Sequence, residues 1–187
     1  MKTPFVKTFK RFKIKFLLIF SKKLFYLYII YDIIYVTIFI RRTIMNNKKL
    51  SYLIESDDFV NMGHVSDDVQ KQLREMNFPA EIVRRVSTVL YQGEINMLIH
   101  AGGGEIIIDI NDECITMTLT DKGPGIEDIE AALSEGYSTA GPRAKSLGFG
   151  EGMGFSSMKK YSDDMEIYSE PGVGTTLIMK VFVRDEE

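Results

Sequence analysis

Between Leu50 and Val183 the hydrophobic positions follow two periods. "LSYLIES" (50–56) alternates apolar and polar residues as a half-buried strand does. "SDDVQKQLREM" (66–76) opens on Ser66 followed by two acids, the pattern of a helix start. "FPAEIVRRVSTVLYQGEINMLIHA" (78–101) puts Pro79 at a first helical position, and Ile82, Val83, Val86, Val89 and Leu90 then recur at helical spacing. "GGGEIIIDIND" and "ECITMTLTD" read as two strands joined by a tight turn at Asn111–Asp112. "IEDIEAALSEG" reads as a short helix stopped by Gly136. "EGMGFSSMKKYS" reads as a helix beginning near Gly152, and "DMEIYSEPGVGTTLIMKVFV" as a hairpin turning at Pro171–Gly174. Strands paired in succession with helices between them predict an α/β fold, a two-layer sandwich of a mixed β-sheet with helices on one face.

The chain has 187 residues, 45% of them hydrophobic and 26% charged, enough for one domain with a sizeable core. Its charge is not evenly spread. Residues 1–44 carry ten Lys/Arg and one acid, Asp32, whereas 45–187 carry 13 Lys/Arg and 25 Asp/Glu. We therefore read two parts, a basic and apolar extension over 1–44 and a folded domain over 45–187. The longest apolar run of the extension, Leu24 to Ile40, falls slightly short of the roughly 20 residues a spanning helix needs and contains Asp32. Two readings stand: a membrane anchor, or, ranked above it, an upstream extension ahead of a start at Met45. Under the second reading the protein is cytoplasmic, and under the first it is membrane-associated. Cys114 is the sole cysteine, so no intramolecular disulfide forms. The acidic 45–187 surface argues against nucleic acid as a partner and is compatible with a protein.

Three stretches carry candidate chemistry. "LGFGEGMGF" (147–155) repeats glycine at every second position, Gly148, Gly150, Gly152 and Gly154, just ahead of a helix. Bare backbone before a helix lets N–H groups approach an anion such as a phosphate, and it serves equally as a hinge or a tight packing turn. "LTDKGPGI" (119–126) sets Asp121 at a strand end before Gly123 and Gly125. An ionised carboxylate only accepts hydrogen bonds, so it suits the exocyclic amine of adenine and rejects the keto oxygen of guanine. The alternative is an ordinary strand-to-helix turn. In "YQGEINMLIHA", Gln92 and Asn96 lie four apart on one helical face. The Asn96 amide oxygen is a candidate ligand for Mg²⁺, or the amide is simply a satisfied buried group.

The order of these stretches resembles a known pattern: an Asn-bearing helix, a meander into "DKGPG", a lid, the glycine run, and a closing hairpin with "GVGTT". It is similar to the nucleotide-binding domain shared by gyrase, Hsp90, histidine kinases and MutL, the GHKL or Bergerat fold. Within that group "EGYSTAG" and the compact lid look most like the small bacterial serine kinases and anti-sigma factors that control alternative sigma factors. The resemblance spans roughly 51–183. It implies ATP and Mg²⁺ as cofactors. By resemblance, Asn96 holds Mg²⁺, Asp121 binds the adenine amine, and Gly123 and Gly125 shape the base pocket. Gly148, Gly150, Gly152 and Gly154 cradle the phosphates, Thr175 or Thr176 supports the adenine end, and Arg143 and Lys145 in the lid reach the β- or γ-phosphate.

One position departs from the family. A glutamate is expected four residues before the asparagine, as general base, and this chain has Gln92 there. A neutral amide takes no proton, and loss of a general base typically costs about 10²–10⁴ in rate. Glu94 is near in sequence but points roughly 200° away along a helix. The resemblance implies a serine/threonine protein kinase acting on a STAS-type anti-anti-sigma partner, with a sigma factor as the other partner and a homodimer left open. Gln92 keeps a second reading alive, a non-catalytic ATP/ADP-dependent binding switch. A third is a GHKL ATPase subunit unrelated to sigma control.

Overall fold

The computed structural model describes residues 26–37, 47–56 and 58–183, with the backbone alone at Arg143. The chain divides into two units, Met1–Ile44 and Met45–Glu187. In the first, residues 26–37 form a helix, α1, exposed along its whole described length. Among the described residues no helix is long and apolar enough to cross a membrane. The ends of the apolar run Leu24 to Ile40, with its flanking basic pairs, lie outside the described residues.

The second unit is built on five strands, β1 (Lys48–Ile54), β2 (Gly104–Ile110), β3 (Cys114–Thr120), β4 (Asp164–Glu170) and β5 (Gly174–Phe182). They lie in the order β1-β2-β3-β5-β4, and every pairing is antiparallel. Alternation decides which face is covered, because successive strand side chains point to opposite sides. Ile106, Ile108 and Ile110 of β2, Ile115, Met117 and Leu119 of β3, and Leu177, Met179 and Val181 of β5 are all buried. They share one core with Val65, Val69 and Leu73 of α2 (His64–Glu75), Val83, Val86, Val89 and Leu90 of α3 (Ala80–Asn96), and Met158 of α6 (Gly154–Tyr161). The alternate strand positions form an open face with ionic pairs such as Lys49–Asp109 and Lys180–Asp164. The two-layer expectation and the core positions agree with this arrangement.

The differences are local. Helix α2 begins at His64, two residues ahead of Ser66, because Gly63 turns the chain at a φ of 91°. The Ser66 hydroxyl donates to the Gly63 carbonyl at 2.9 Å. Pro79 sits just before α3 instead of inside it. The last turn of that helix widens into a π-helical turn over Met97–Ala101, closed by Gly103 N donating to the Met97 carbonyl. The Asn111 side chain makes the β2–β3 turn by accepting from the N–H groups of Glu113 and Cys114. Helix α4 (Ile129–Leu133) is capped by the Asp128 carboxylate and ends before Gly136. A further short helix, α5 (Pro142–Ser146), forms inside the stretch read as a lid.

Candidate functional site

The cleft lies where α3 and its π-helical turn, the end of β3, the start of β5 and the 134–153 lid meet, and its volume is about 660 Å³. That is within the range of small-molecule sites. Gln92, Asn96, Asp121, Gly125, Thr175 and all four glycines of the run line it. Gly123, Lys145 and Thr176 do not line it, and the Arg143 side chain lies outside the described residues.

Asp121 is held by the backbone around it. Its Oδ1 accepts from Gly123 N at 2.8 Å and from Thr175 N at 3.1 Å, and its own N–H donates to the Thr175 carbonyl. Both backbone donors use one oxygen, which leaves Oδ2 to a ligand. Gly123 thus acts on the site through Asp121, and it stays bare because a Cβ would sit 2.6 Å from Ala101 Cα. Behind Thr175 a hydroxyl relay ties the floor together. Ser169 Oγ accepts from Ile126 N, donates to the Gly174 carbonyl and lies 2.8 Å from Thr175 Oγ1. Sequence reasoning missed Ser169, since only the hairpin register brings it beside Thr175. Thr176 points to the open face of the sheet, 3.3 Å from the Thr120 hydroxyl. Of the two threonines read as alternatives, Thr175 is therefore the one at the cleft.

The Asn96 and Gln92 amides, also lining the cleft, are half-buried, one helical turn apart, and make no hydrogen bond to any described residue. The reading of Asn96 as an internally satisfied amide does not describe this geometry. Gly154 opens α6 directly against Asn96, where an added Cβ would lie 3.1 Å from Asn96 Oδ1. His100, on the π-helical turn, also lines the cleft, and its Nδ1 lies 3.3 Å from the lid residue Thr139. Burial pushes the His100 pKa down, which favours a neutral ring. Its place next to the lid was not legible from the sequence.

The glycine run also has an internal reason to be bare. At Gly152, with φ of 73°, a Cβ would lie 2.4 Å from Gly136 C and 2.6 Å from Tyr137 N, where the lid folds back and Gly136 N donates to the Gly152 carbonyl. The same stretch thus lines the cleft and closes its own lid.

Glu94 is turned away from the cleft and is 1% exposed. Its Oε1 accepts from Gly63 N at 3.0 Å and lies 3.2 Å from His64 Nδ1, at the start of α2, while Oε2 has no partner. Burial raises its pKa. A raised carboxyl pKa means that the fold favours the protonated form. Stability from this group is therefore present at low pH and falls as pH rises through the folded pKa. Glu94→Gln keeps an acceptor for Gly63 N and removes the buried charge. It is expected to flatten that fall, so that melts at increasing pH, starting from the ordinary carboxyl value of 4.5, show a smaller loss of stability than wild type. Glu94→Ala strands the Gly63 N–H and should cost about 1–3 kcal/mol.

With this geometry in view, the comparisons with known proteins are specific. The family described as "Histidine kinase-, DNA gyrase B-, and HSP90-like ATPase" matches residues 81–185, more than half of the chain and all of the cleft. The chain belongs to this family. Its relatives include the anti-sigma F factor of Clostridium acetobutylicum, 30% identical over 140 residues, which cover 72% of this chain and 92% of that protein. The anti-sigma F factor of Clostridium perfringens is 29% identical over 143 residues, covering 73% and 96%. Among solved structures, the RsbU and RsbW domains of Rv1364c from Mycobacterium tuberculosis align over 72% of this chain and 31% of theirs, with 11% identity and a TM-score of 0.47. Family membership implies ATP binding, and the residues present fit that ligand. The pinned Asp121 carboxylate, the two unpartnered amides and the glycine-lined lid offer an acceptor for an amine and donors for phosphates.

Proposed function

We propose that the protein is an Mg²⁺–ATP-dependent, cytoplasmic anti-sigma-type regulator. In this reading it binds a sigma factor and acts as a serine/threonine kinase on a STAS-type anti-anti-sigma partner. The observation that carries it is the cleft itself, lined by a carboxylate pinned through one oxygen and by two amides that no described residue satisfies. The relatives' name, anti-sigma F factor, supports the choice of partners.

Each residue then has a role. Asp121 takes the adenine amine on Oδ2, with Gly125 and Thr175 beside it. Asn96 offers its amide oxygen to Mg²⁺. Among the described residues no group of three or more His, Cys, Asp or Glu could hold a metal, so the ion would be shared with phosphate and water. The N–H groups at Gly150, Gly152 and Gly154 face the phosphates, whereas Gly148 N donates to the Lys145 carbonyl and lines the cleft as bare backbone; Arg143 and Lys145 add charge from the lid. ATP supplies the phosphoryl group.

Gln92 favours the second reading, a binding switch with slow or no transfer. A serine acceptor must lose its hydroxyl proton as phosphate is transferred, and neither Gln92 nor the sequestered Glu94 takes it. Phosphoryl transfer depends mostly on positioning and electrostatics, so a residual rate is compatible with the site. The test is transfer of labelled phosphate from ATP to a STAS-domain anti-anti-sigma protein, alongside sigma-factor capture with ATP or ADP present. Nucleotide-dependent capture of the sigma factor is expected, with transfer about 10²–10⁴ slower than in Gln92→Glu. Capture indifferent to nucleotide would contradict the proposal.

A further inference from the structure

We infer that His100 and Thr139 form a catch that holds the outer lid, residues 137–149, over the cleft and so sets how long a nucleotide stays bound. The effect on bound nucleotide rests on the ATP reading of the cleft, and the catch does not. The lid has a fixed stem. Gly136 N donates to the Gly152 carbonyl, and Gly152 is backed by Gly136 and Tyr137 with no room for a Cβ. Beyond the stem the outer lid bonds to itself. Ala140 N donates to Ser138 Oγ, Lys145 N to the Gly141 carbonyl, Gly148 N to the Lys145 carbonyl and Phe149 N to the Ala144 carbonyl. Buried Ala140 lies against Gly150, which is part of the lid as well. A Cβ on Gly141 or Gly148 would meet nothing within 4 Å, so the chain there has open space to turn in.

Thr139 departs from that self-contained pattern. Its Oγ1 lies 3.3 Å from His100 Nδ1 on the π-helical turn, 39 residues away in sequence. Gln92, Asn96 and His100 recur every four residues and all line the cleft, as does Thr139, so the bond joins the lid to the helix that carries the two amides. Burial favours the neutral ring, with one bare nitrogen and one N–H. A hydroxyl both donates and accepts, so either tautomer makes the bond. The bond is exposed and joins two neutral groups. Its net worth is therefore modest, which suits a catch that must also release: it biases the lid toward the closed position by about fivefold without locking it. Lid opening of this kind commonly sets the rate at which a bound ligand leaves.

The test is trypsin digestion of the full chain without nucleotide, with cleavage after Lys145 in the outer lid and after Lys160 in α6 followed by mass spectrometry. Thr139→Val and His100→Leu are each expected to speed cleavage after Lys145 by about fivefold, because cleavage follows the open population. Cleavage after Lys160, which needs the body of the domain to unfold, stays unchanged. Thr139→Ser keeps the hydroxyl and the wild-type rate. Thr139→Val combined with His100→Leu is no faster than either alone, since both remove the same bond. A wild-type rate in Thr139→Val, equal acceleration at both sites, or effects that multiply in the double variant would overturn the catch. The second arm is stopped-flow release of a fluorescent ATP analogue with Mg²⁺, expected to be about fivefold faster in Thr139→Val and restored in Thr139→Ser. Unchanged release from a lid that opens more often overturns the effect on bound nucleotide alone. Wild-type protein that binds neither ATP nor the analogue overturns the ATP reading, and the digestion still decides the catch.

Discussion

Asp121→Asn is expected to weaken ATP binding by about 100-fold, or roughly 2.7 kcal/mol, with little change in the melting temperature. The reason is the uneven use of the carboxylate. Oδ1 accepts from both Gly123 N and Thr175 N, so the amide oxygen of an asparagine must take that place to keep the floor of the cleft intact. The amide nitrogen then occupies the position of Oδ2 and presents donors to the adenine amine, itself a donor. The opposite orientation is worse, since it sets the NH₂ against two backbone N–H groups. Guanine carries a keto oxygen where adenine carries the amine. The variant should therefore lose its preference for ATP over GTP along with its affinity. Calorimetric titration with both nucleotides checks this, and ATP affinity within about threefold of wild type would remove Asp121 from the base pocket.

Gly174→Ala is expected to damage both the fold and the site. Gly174 starts β5 at a φ of 142°, and an added Cβ would lie 2.2 Å from the Asp121 carbonyl oxygen and 3.0 Å from Lys122 Cα. Those atoms are backbone of the neighbouring strand end, so no side chain can swing away. The strand must move, and with it Thr175 N, one of the two donors that hold Asp121. Strain at the left-handed φ together with overpacking should cost about 2–4 kcal/mol. At this chain size each kcal/mol lowers the melting temperature by roughly 2–4 °C. Urea melts measure the first effect and ATP titration at low temperature the second. Gly172→Ala, in the same hairpin turn, also has a positive φ but meets no atom within 4 Å, so it separates backbone strain from collision.

The elements with strong periodicity were legible in the sequence. Ile106, Ile108 and Ile110 alternate, as do Ile115, Met117 and Leu119, and the buried face of the sheet follows directly. Val83, Val86, Val89 and Leu90 likewise mark the inner face of α3. The spacing of Gln92 and Asn96 placed both on one wall, and the spacing of Glu94 turned it away from them. What turned Glu94 toward α2 was not legible, because Gly63 and His64 come from 31 and 30 residues upstream. Thr175 and Thr176 could not be separated either, since neighbouring strand residues face opposite ways and only the pairing with β3 and β4 says which face is the cleft. The π-helical turn and the backing of Gly152 onto Gly136 are tertiary contacts with no periodic signature.

The central claim is that this cleft binds Mg²⁺–ATP. The most direct measurement is calorimetric titration of wild-type protein with ATP, with Mg²⁺ present and then with it chelated. Saturable one-site binding at about micromolar affinity, weakened when Mg²⁺ is removed, is the expected result. Folded protein that gives no binding heat, and no shift in melting temperature, up to about millimolar ATP would contradict it.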